Sequence, residues 1–315
     1  MKENDKSFII FDDVTFSYGD PENNSSEELD GTSGNSSGDS FASTFDGSSY
    51  SERPKEAVKN VSFTVDKGEF VAVIGSNGSG KSTVAKLMNG LLLPQSGTVI
   101  SAGYNTANED TIWEVRRLVG MVFQNPDNQI ISTSVEEDVA FGPENIGVPR
   151  DDMIKRVDEA MKVCGVMDLR KCEPHLLSGG QKQRVSIAGI LAMRPSCILL
   201  DESTAMLDPK GRKSVLETVK KLNKEEHITI VLITHHMDEI IEADKVIVMD
   251  KGSVVKTGKP SEIFSDKKLL SDLSLELPPA ASVFDSVDEF DFGETVLSPS
   301  RGTEVLLNLY KRSIS

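Results

Sequence analysis

The residues with the clearest chemical potential form a glycine-rich loop at positions 75–82, here called the phosphate loop. It reads Gly-Ser-Asn-Gly-Ser-Gly-Lys-Ser, fits the pattern G-x-x-x-x-G-K-[ST], and lies between an apolar run at 70–74 and a segment with helical periodicity. In this setting, backbone N–H groups surround a phosphate, Lys81 reaches the β- and γ-phosphate oxygens, and Ser82 can ligate Mg²⁺. A glycine-rich turn that only starts a helix is the alternative, and the flanking elements favour phosphate binding.

Two adjacent acids, Asp201 and Glu202, follow a second apolar run at 197–200. Next to a phosphate loop, Asp201 would hold Mg²⁺ directly or through water. Glu202 would face the γ-phosphate and act as a general base or position the attacking water. Two acids often end a strand at the protein surface, so the interpretation depends on the phosphate loop.

A third candidate site is the pentapeptide Leu-Ser-Gly-Gly-Gln at 177–181, which opens a predicted helix. Ser178 would lie near the helix N-terminus, and the two glycines permit close approach of an anion. One chain cannot easily wrap this surface and the phosphate loop around one γ-phosphate. We therefore expect the pentapeptide surface of each subunit to contact the nucleotide that is held by the phosphate loop of the other subunit. Alone, the pentapeptide is equally compatible with a capped helix start.

The composition limits the class of protein. The 315 residues are 38% apolar, enough for a buried core, and the net charge of −16 excludes a sequence-wide basic surface for nucleic acid or anionic lipid. The apolar runs are shorter than the roughly 20 residues that cross a bilayer. No leader pattern opens the sequence, and three cysteines form no disulfide framework or metal-ligand spacing. We expect a globular protein of a reducing cytoplasm that does not span a membrane alone.

The acidic charge is concentrated in residues 20–54, which carry eight acids and one base among Ser, Gly and Asn. Such a segment buries too little apolar surface to offset the entropy of ordering, so we predict a disordered insertion. A tolerated solvated loop is the simpler interpretation, and its ten serines also suggest a regulatory role. Residues 266–315 form a C-terminal extension, interpreted as a small accessory or dimerisation subdomain.

The remaining chain alternates β-rich runs with helical patterns. We predict paired strands at 8–18 and 58–65 and buried strands at 70–74, 197–200 and 228–233. The predicted helices cover 82–92, 151–164, 181–193 and 209–223. Alternation of this kind predicts a mainly parallel sheet covered on both faces.

Taken in chain order, these motifs resemble those of the nucleotide-binding subunits of ABC transporters, over about residues 8–265 apart from the insertion. The matching positions are the adenine-stacking Tyr18, the phosphate loop, the Q-loop residue Gln124, the signature 177–181, the Walker B pair Asp201 and Glu202, the D-loop 203–208, and the switch histidine His235 after Thr234. The resemblance implies an α/β fold of the P-loop NTPase type. It comprises a RecA-like core, an antiparallel β subdomain and a helical signature subdomain near 130–175, all within residues 1–19 and 55–265.

The resemblance also implies the ligands, which are ATP and Mg²⁺. We expect nucleotide contacts from Tyr18, Gly75, Ser76, Asn77, Gly78, Ser79, Gly80, Lys81, Ser82, Thr83, Ser178, Gly179, Gly180 and Gln181. Glu202, His235 and Gln124 are the expected catalytic residues. Ser82, Gln124 and Asp201 are the expected metal ligands. Gln124 would sense the γ-phosphate and Mg²⁺, and His235 would contact the γ-phosphate. By residue type alone, Gln124 would be a capping amide and His235 an ordinary strand-end histidine.

A narrower resemblance lies in the strings at 122–129, 137–145 and 201–209, which are similar to the ATPase subunits of energy-coupling-factor (ECF) transporters. In that family two identical or paralogous ATPases dock on a transmembrane coupling protein that also holds a substrate-binding membrane protein. It implies a peripheral subunit at the cytoplasmic face of the cell membrane, where it powers uptake of a vitamin or transition-metal ion. The docking groove would lie around 124–129 and the helical segment after it.

Two alternatives belong to other classes. Ribosome-acting ABC ATPases usually carry two cassettes, and DNA-repair members separate the phosphate loop from the signature with a long coiled coil. Here one cassette has about 97 residues between Lys81 and Ser178 and no heptad run. The other alternative is a catalytically silent partner of an active paralogue, against which Glu202, His235 and the intact signature argue.

Overall fold

The computed structural model describes residues 6–19, 56–286 and 296–313, with side chains through residue 307. The insertion predicted at 20–54 lies outside these residues. In chain order the strands are β1 Ser7–Ser17, β2 Glu56–Asp66, β3 Phe70–Gly75, β4 Ser96–Ser101, β5 Tyr104–Asn105, β6 Val119–Val122, β7 Cys197–Asp201, β8 Thr229–Ile233, β9 Lys245–Asp250 and β10 Ser253–Gly258. The helices are α1 Lys81–Met88, α2 Ile112–Leu118, α3 Val135–Asn145, α4 Arg150–Val163, α5 Gly179–Ala192, α6 Pro209–Glu226, α7 Pro260–Phe264, α8 Lys267–Asp272, α9 Pro279–Asp285 and α10 Pro299–Ser313.

The smaller sheet is antiparallel and has the strand order β2-β1-β4-β5. The strands predicted at 8–18 and 58–65 are the neighbours β1 and β2, with β2 at the edge of the sheet, and the rings of Phe11 and Phe63 stack between them with centroids 4.5 Å apart. Its apolar face shares a core with α1 and with one face of the larger sheet. The small sheet therefore covers the helix that follows the phosphate loop.

The larger sheet has the order β10-β9-β3-β8-β7-β6, in which only β10 runs antiparallel to its neighbour within the described residues. All residues of β3, β7 and β8 are buried, as expected for parallel strands that are covered on both faces. Val73 of β3 and Asp201 of β7 both pair with Ile233 of β8. This register brings the phosphate loop, the Walker B acids and the switch histidine to one sheet edge.

Helices α3 and α4 form the helical subdomain and pack against α5, which carries the signature. The Ser134 hydroxyl caps α3, where three acids occupy the first turn and favour the helix dipole. No helix within the described residues is long and apolar enough to span a membrane.

Two helices end three or more residues away from the sequence-based expectation. Helix α1 ends at Met88 rather than at 92, because the backbone N–H groups of Leu91 and Leu92 both turn back to the carbonyl of Lys86. Helix α6 continues to Glu226, and His227 ends it in a left-handed conformation at φ 54°. The side chain of Asn223 donates to the carbonyls of Gly68 and Ile228, which fixes this end.

The start of the C-terminal extension packs onto the cassette. Phe264 and Leu270, on either side of the predicted boundary at 265/266, are both buried in the core around the larger sheet. The leucines at 273, 275 and 277 also pack against that core and carry the chain past the phosphate-loop edge. The boundary itself remains a prediction.

We expect the central strand β8 to dominate stability. Ile230 is fully buried, so Ile230→Ala leaves a cavity and should lower the free energy of unfolding by about 2–5 kcal/mol. The matched substitution Ile131→Ala, at a side chain that is 61% exposed, should change it by less than about 0.5 kcal/mol. Urea unfolding measures both; equal losses would contradict the core assignment.

Candidate nucleotide-binding site

The phosphate loop is held in shape by its own lysine. Lys81 is 4% exposed, and its ammonium donates to the carbonyls of Gly75 at 3.0 Å and Ser76 at 2.9 Å. The backbone N–H of Ser79 closes a turn by donating to the Ser76 carbonyl. These bonds fix the loop directly before α1, where the free N–H groups of the helix N-terminus favour an anion.

Gly75 is required for packing as well as for backbone conformation. It has φ 149°, and a β-carbon at this position would lie 2.1 Å from the carbonyl oxygen of Met249 in β9. No side chain fits there without moving the neighbouring strand. The loop is therefore positioned by the sheet on one side and by its lysine on the other.

Ser82 and Asp201 come together across the sheet edge. The Ser82 hydroxyl donates to the Oδ1 atom of Asp201 at 2.8 Å, although 119 residues separate them. Burial raises the pKa of Asp201, while the Ser82 hydrogen bond partly opposes that shift. A hydroxyl and a carboxylate are the hard oxygen donors that Mg²⁺ prefers. The described residues contain no cluster of three or more His, Cys, Asp or Glu side chains placed to hold a metal ion.

Glu202 follows Asp201 with an unusual backbone. Its φ of 47° is left-handed, and its N–H donates to the carbonyl of Ile233 in β8 at 3.0 Å. Non-glycine residues adopt this conformation at a cost and do so often at functional sites. The turn presents the carboxylate to Gln124, whose Nε2 donates to Glu202 Oε2 at 3.2 Å. The structure thus joins two predicted catalytic residues, Gln124 and Glu202, from the segments that follow β6 and β7.

The two acids at this edge favour the charged form of Lys81. Burial lowers the pKa of Lys81, while the nearby carboxylates of Glu202 and Asp201 act in the opposite direction and favour its charged form. The two carboxylates therefore partly offset the cost of burying this ammonium.

His235 lies directly after β8 at the same edge. Its exposed ring packs on that of His236, with centroids 4.1 Å apart, and the Thr234 hydroxyl accepts the backbone N–H of His236. A cavity of about 550 Å³ extends from His235 past Ser76 and Asn77 to the C-terminal residues 273–277. Sequence reasoning missed this C-terminal wall because no motif marks it.

Tyr18 directly follows β1 and lies beside the first turn of α1. Its hydroxyl lies 3.2 Å from the hydroxyl of Thr83, and its ring packs edge-on against Phe16. The side chain is 50% exposed, which leaves ring surface available for a planar base. Thr83, predicted as a nucleotide contact, is buried and partners Tyr18.

The signature begins helix α5 with a capping box. Ser178 Oγ accepts the N–H of Gln181, and Gln181 Oε1 accepts the N–H of Ser178. Gly180 is buried against α6, because a β-carbon there would lie 2.9 Å from the α-carbon of Gly211. Within the part of the chain that the structure describes, no hydrogen bond or ion pair joins residues 178–181 to the phosphate loop.

The chain is similar to known proteins in both sequence and fold. The ABC transporter family model matches residues 58–205. Two curated relatives, from Clostridium novyi (strain NT) and Clostridioides difficile (strain 630), are both named energy-coupling factor transporter ATP-binding protein EcfA1. They are 58% and 55% identical to this chain over 227 residues, which is 72% of the chain and 81% and 82% of the relatives. The chain belongs to the energy-coupling factor transporter ATP-binding proteins.

Solved structures agree with this family. The structure of cbiO1 from Clostridium perfringens, described as part of the ABC transporter complex cbiONQ, matches with a TM-score of 0.69 and 33% identity over 89% of this chain and 99% of that one. The cassette MJ0796, solved as a dimer bound to ADP and Pi, matches with a TM-score of 0.63 and 29% identity over 80% and 98%. The predicted ABC cassette fold is confirmed, and this ECF ATP-binding protein is an ATPase.

Lys81→Ala tests the phosphate loop. We expect the Kd for ATP to rise at least about tenfold, because the variant loses a buried cation next to the phosphates and the bonds that shape the loop. Lys213→Ala, at a lysine on α6 whose side chain is 79% exposed, is the matched control and should leave the Kd unchanged. Titration calorimetry measures both, and unchanged affinity in Lys81→Ala would contradict the site.

Proposed function

We propose that this chain is the ATP-hydrolysing subunit of an ECF-type importer that powers uptake of a vitamin or transition-metal ion through a membrane coupling protein. The observation that carries the chemical part is the pairing of Ser82 with Asp201 and of Gln124 with Glu202 beside Lys81. The names of the relatives support the transport part and argue against a ribosome- or DNA-acting ATPase.

Each residue at the sheet edge has a proposed role. Lys81 and the loop N–H groups bind the β- and γ-phosphates, and Tyr18 stacks on the adenine. Ser82, Asp201 and Gln124 hold Mg²⁺, which when bound neutralises phosphate charge. Glu202 accepts a proton from the attacking water as its oxygen bonds to the γ-phosphorus and the bond to ADP breaks. His235 contacts the γ-phosphate.

We propose that two subunits complete each site. The signature of one chain would face the nucleotide on the phosphate loop of the other, so that each of the two surfaces would contribute to a site shared between subunits. The dimeric cassette MJ0796 supports this arrangement by analogy. Either a second copy or a paralogous ATPase would serve as the partner, and the exposed Val283, Leu306 and Leu307 of the C-terminal extension are candidate dimer contacts.

The coupling protein is proposed to dock beside the Q-loop. A cavity of about 360 Å³ lies there between the segment at 130–133 and that at 173–175, with Ile131 61% exposed. The carboxylate of Asp138 accepts the N–H groups of Ile131 and Ser132 and so holds this surface on α3. Lys182, next to the signature, forms an ion pair with Asp127 at 2.6 Å. Movement of the docked partner would therefore reach both the Q-loop and the signature.

The transported substrate would be recognised by a separate substrate-binding membrane protein held by the same coupling protein. The ATPase would then be a peripheral subunit at the cytoplasmic face of the membrane. Its contribution is the closure and opening of the dimer around ATP, which moves the coupling protein.

Glu202→Gln tests the catalytic assignment. The variant keeps the size of the side chain but cannot accept a proton, so hydrolysis should fall about 100-fold or more while the Kd for ATP stays within about twofold. Glu217→Gln, at an exposed position on α6, is the control and should keep full activity. Undiminished hydrolysis in Glu202→Gln would refute the role of Glu202.

Affinity capture from detergent-solubilised membranes tests the transport assignment. The tagged chain should recover a transmembrane coupling protein and a substrate-binding membrane protein. Ile131→Arg should reduce that recovery at least about tenfold by placing a charge at the proposed apolar contact. Val255→Arg, at an exposed apolar position on β10, should not. Recovery alone or with ribosomes would overturn the transport role and leave the ATPase chemistry intact.

A further inference from the structure

Glu239 is a buried acid that none of the site motifs explains. It lies in the 3₁₀ turn Met237–Ile240, four residues after His235, and its side chain is 0% exposed. Neither carboxylate oxygen has a hydrogen-bond partner among the residues that the structure describes. Burying a carboxylate without hydrogen bonds is costly, so its presence so close to the switch histidine needs a reason.

The cation nearest to this acid comes from α6. The Nε atom of Arg212 lies 3.8 Å from Glu239 Oε1, and its side chain is 23% exposed. Arg212 sits in the first turn of α6, directly after the D-loop, where its backbone N–H donates to the carbonyl of the capping residue Asp208. The pair therefore links the turn behind the switch histidine to the helix that starts at the D-loop.

His236 lies within the electrostatic reach of this pair. Its pKa is lowered by burial and by the positive charge of Arg212 and the neighbouring His235, while Glu239 and Asp238 oppose the shift. Within the described part of the chain, its buried Nε2 atom has no hydrogen-bond partner. The pair thus adjoins the histidines that face the phosphate-loop edge.

The same end of α6 also touches the signature. Gly211, next to Arg212, packs against Gly180 of α5. One helix end therefore contacts both the signature and, through the ion pair, the turn that follows the switch histidine.

The energetics favour a positional role. A buried ion pair gains little net stability over apolar residues of the same size, although removing one partner alone is strongly destabilising. We propose that Glu239, paired with Arg212, is a positioning residue that holds His235 at a defined place relative to α6 and the signature. This inference rests on the proposed role of His235.

Steady-state ATP hydrolysis by the full chain tests it. Glu239→Gln should lower kcat about 10- to 100-fold, because small misplacements of a group that acts on the γ-phosphate cost that much, while KM for ATP stays within about twofold. Glu242→Gln removes an exposed ion pair between α6 and the residues just after the same turn, with Lys220 at 2.8 Å. As the matched control it should keep kcat within about twofold.

A double-mutant cycle separates positioning from general damage. If Glu239 acts through His235, adding Glu239→Gln to His235→Ala should not lower kcat further. Independent effects would multiply and would overturn the proposal. The uncharged pair Arg212→Met with Glu239→Gln should recover the Tm lost in Glu239→Gln but not its kcat, and recovery of both would mean that the ion pair only supports the fold.

The outcomes also distinguish this inference from the proposed function. Slow hydrolysis in His235→Ala together with wild-type kcat in Glu239→Gln would overturn the positioning role alone. Wild-type hydrolysis in His235→Ala would remove the role proposed for His235, and the positioning role with it.

Discussion

The parallel pairing of β3, β8 and β7 is the constraint on which the site depends. Because Val73 and Asp201 share Ile233 as a partner, the phosphate loop, the Walker B acids and His235 all leave the sheet at one edge. The 2.8 Å hydrogen bond from Ser82 to Asp201 is a direct consequence of this register. A slip of one residue in β7 would turn its side chains to the opposite face and separate the two oxygen donors.

Glycines in the motifs serve packing as well as ligand approach. Gly75 lets the phosphate loop lie against the carbonyl of Met249, and Gly180 lets α5 lie against Gly211 at the start of α6. The motifs proposed to bind phosphate therefore also set the distance between secondary-structure elements. A substitution at either glycine acts on the position of a whole helix or strand, and so on the geometry that an ABC dimer needs when it closes.

Charged groups buried in this ATPase connect elements that are distant in the chain. The carboxylates of Asp201 and Glu202 partly offset the desolvation of Lys81, and the more distant Arg212 forms an ion pair with Glu239. Such pairs add little to stability, but they hold the phosphate loop, the Walker B strand and the switch turn in defined relative positions.

The sequence by itself determined the family, the cassette fold and the strand-loop-helix setting of the phosphate loop. It did so because these features depend on local spacing, from the glycines before Lys81 to the acids after residues 197–200. Only the tertiary structure decided that α1 ends at Met88, that residues 273–277 form a wall beside His235, and that Arg212 faces Glu239 across 27 residues. These features arise from contacts between distant segments, which local propensity and periodicity do not encode.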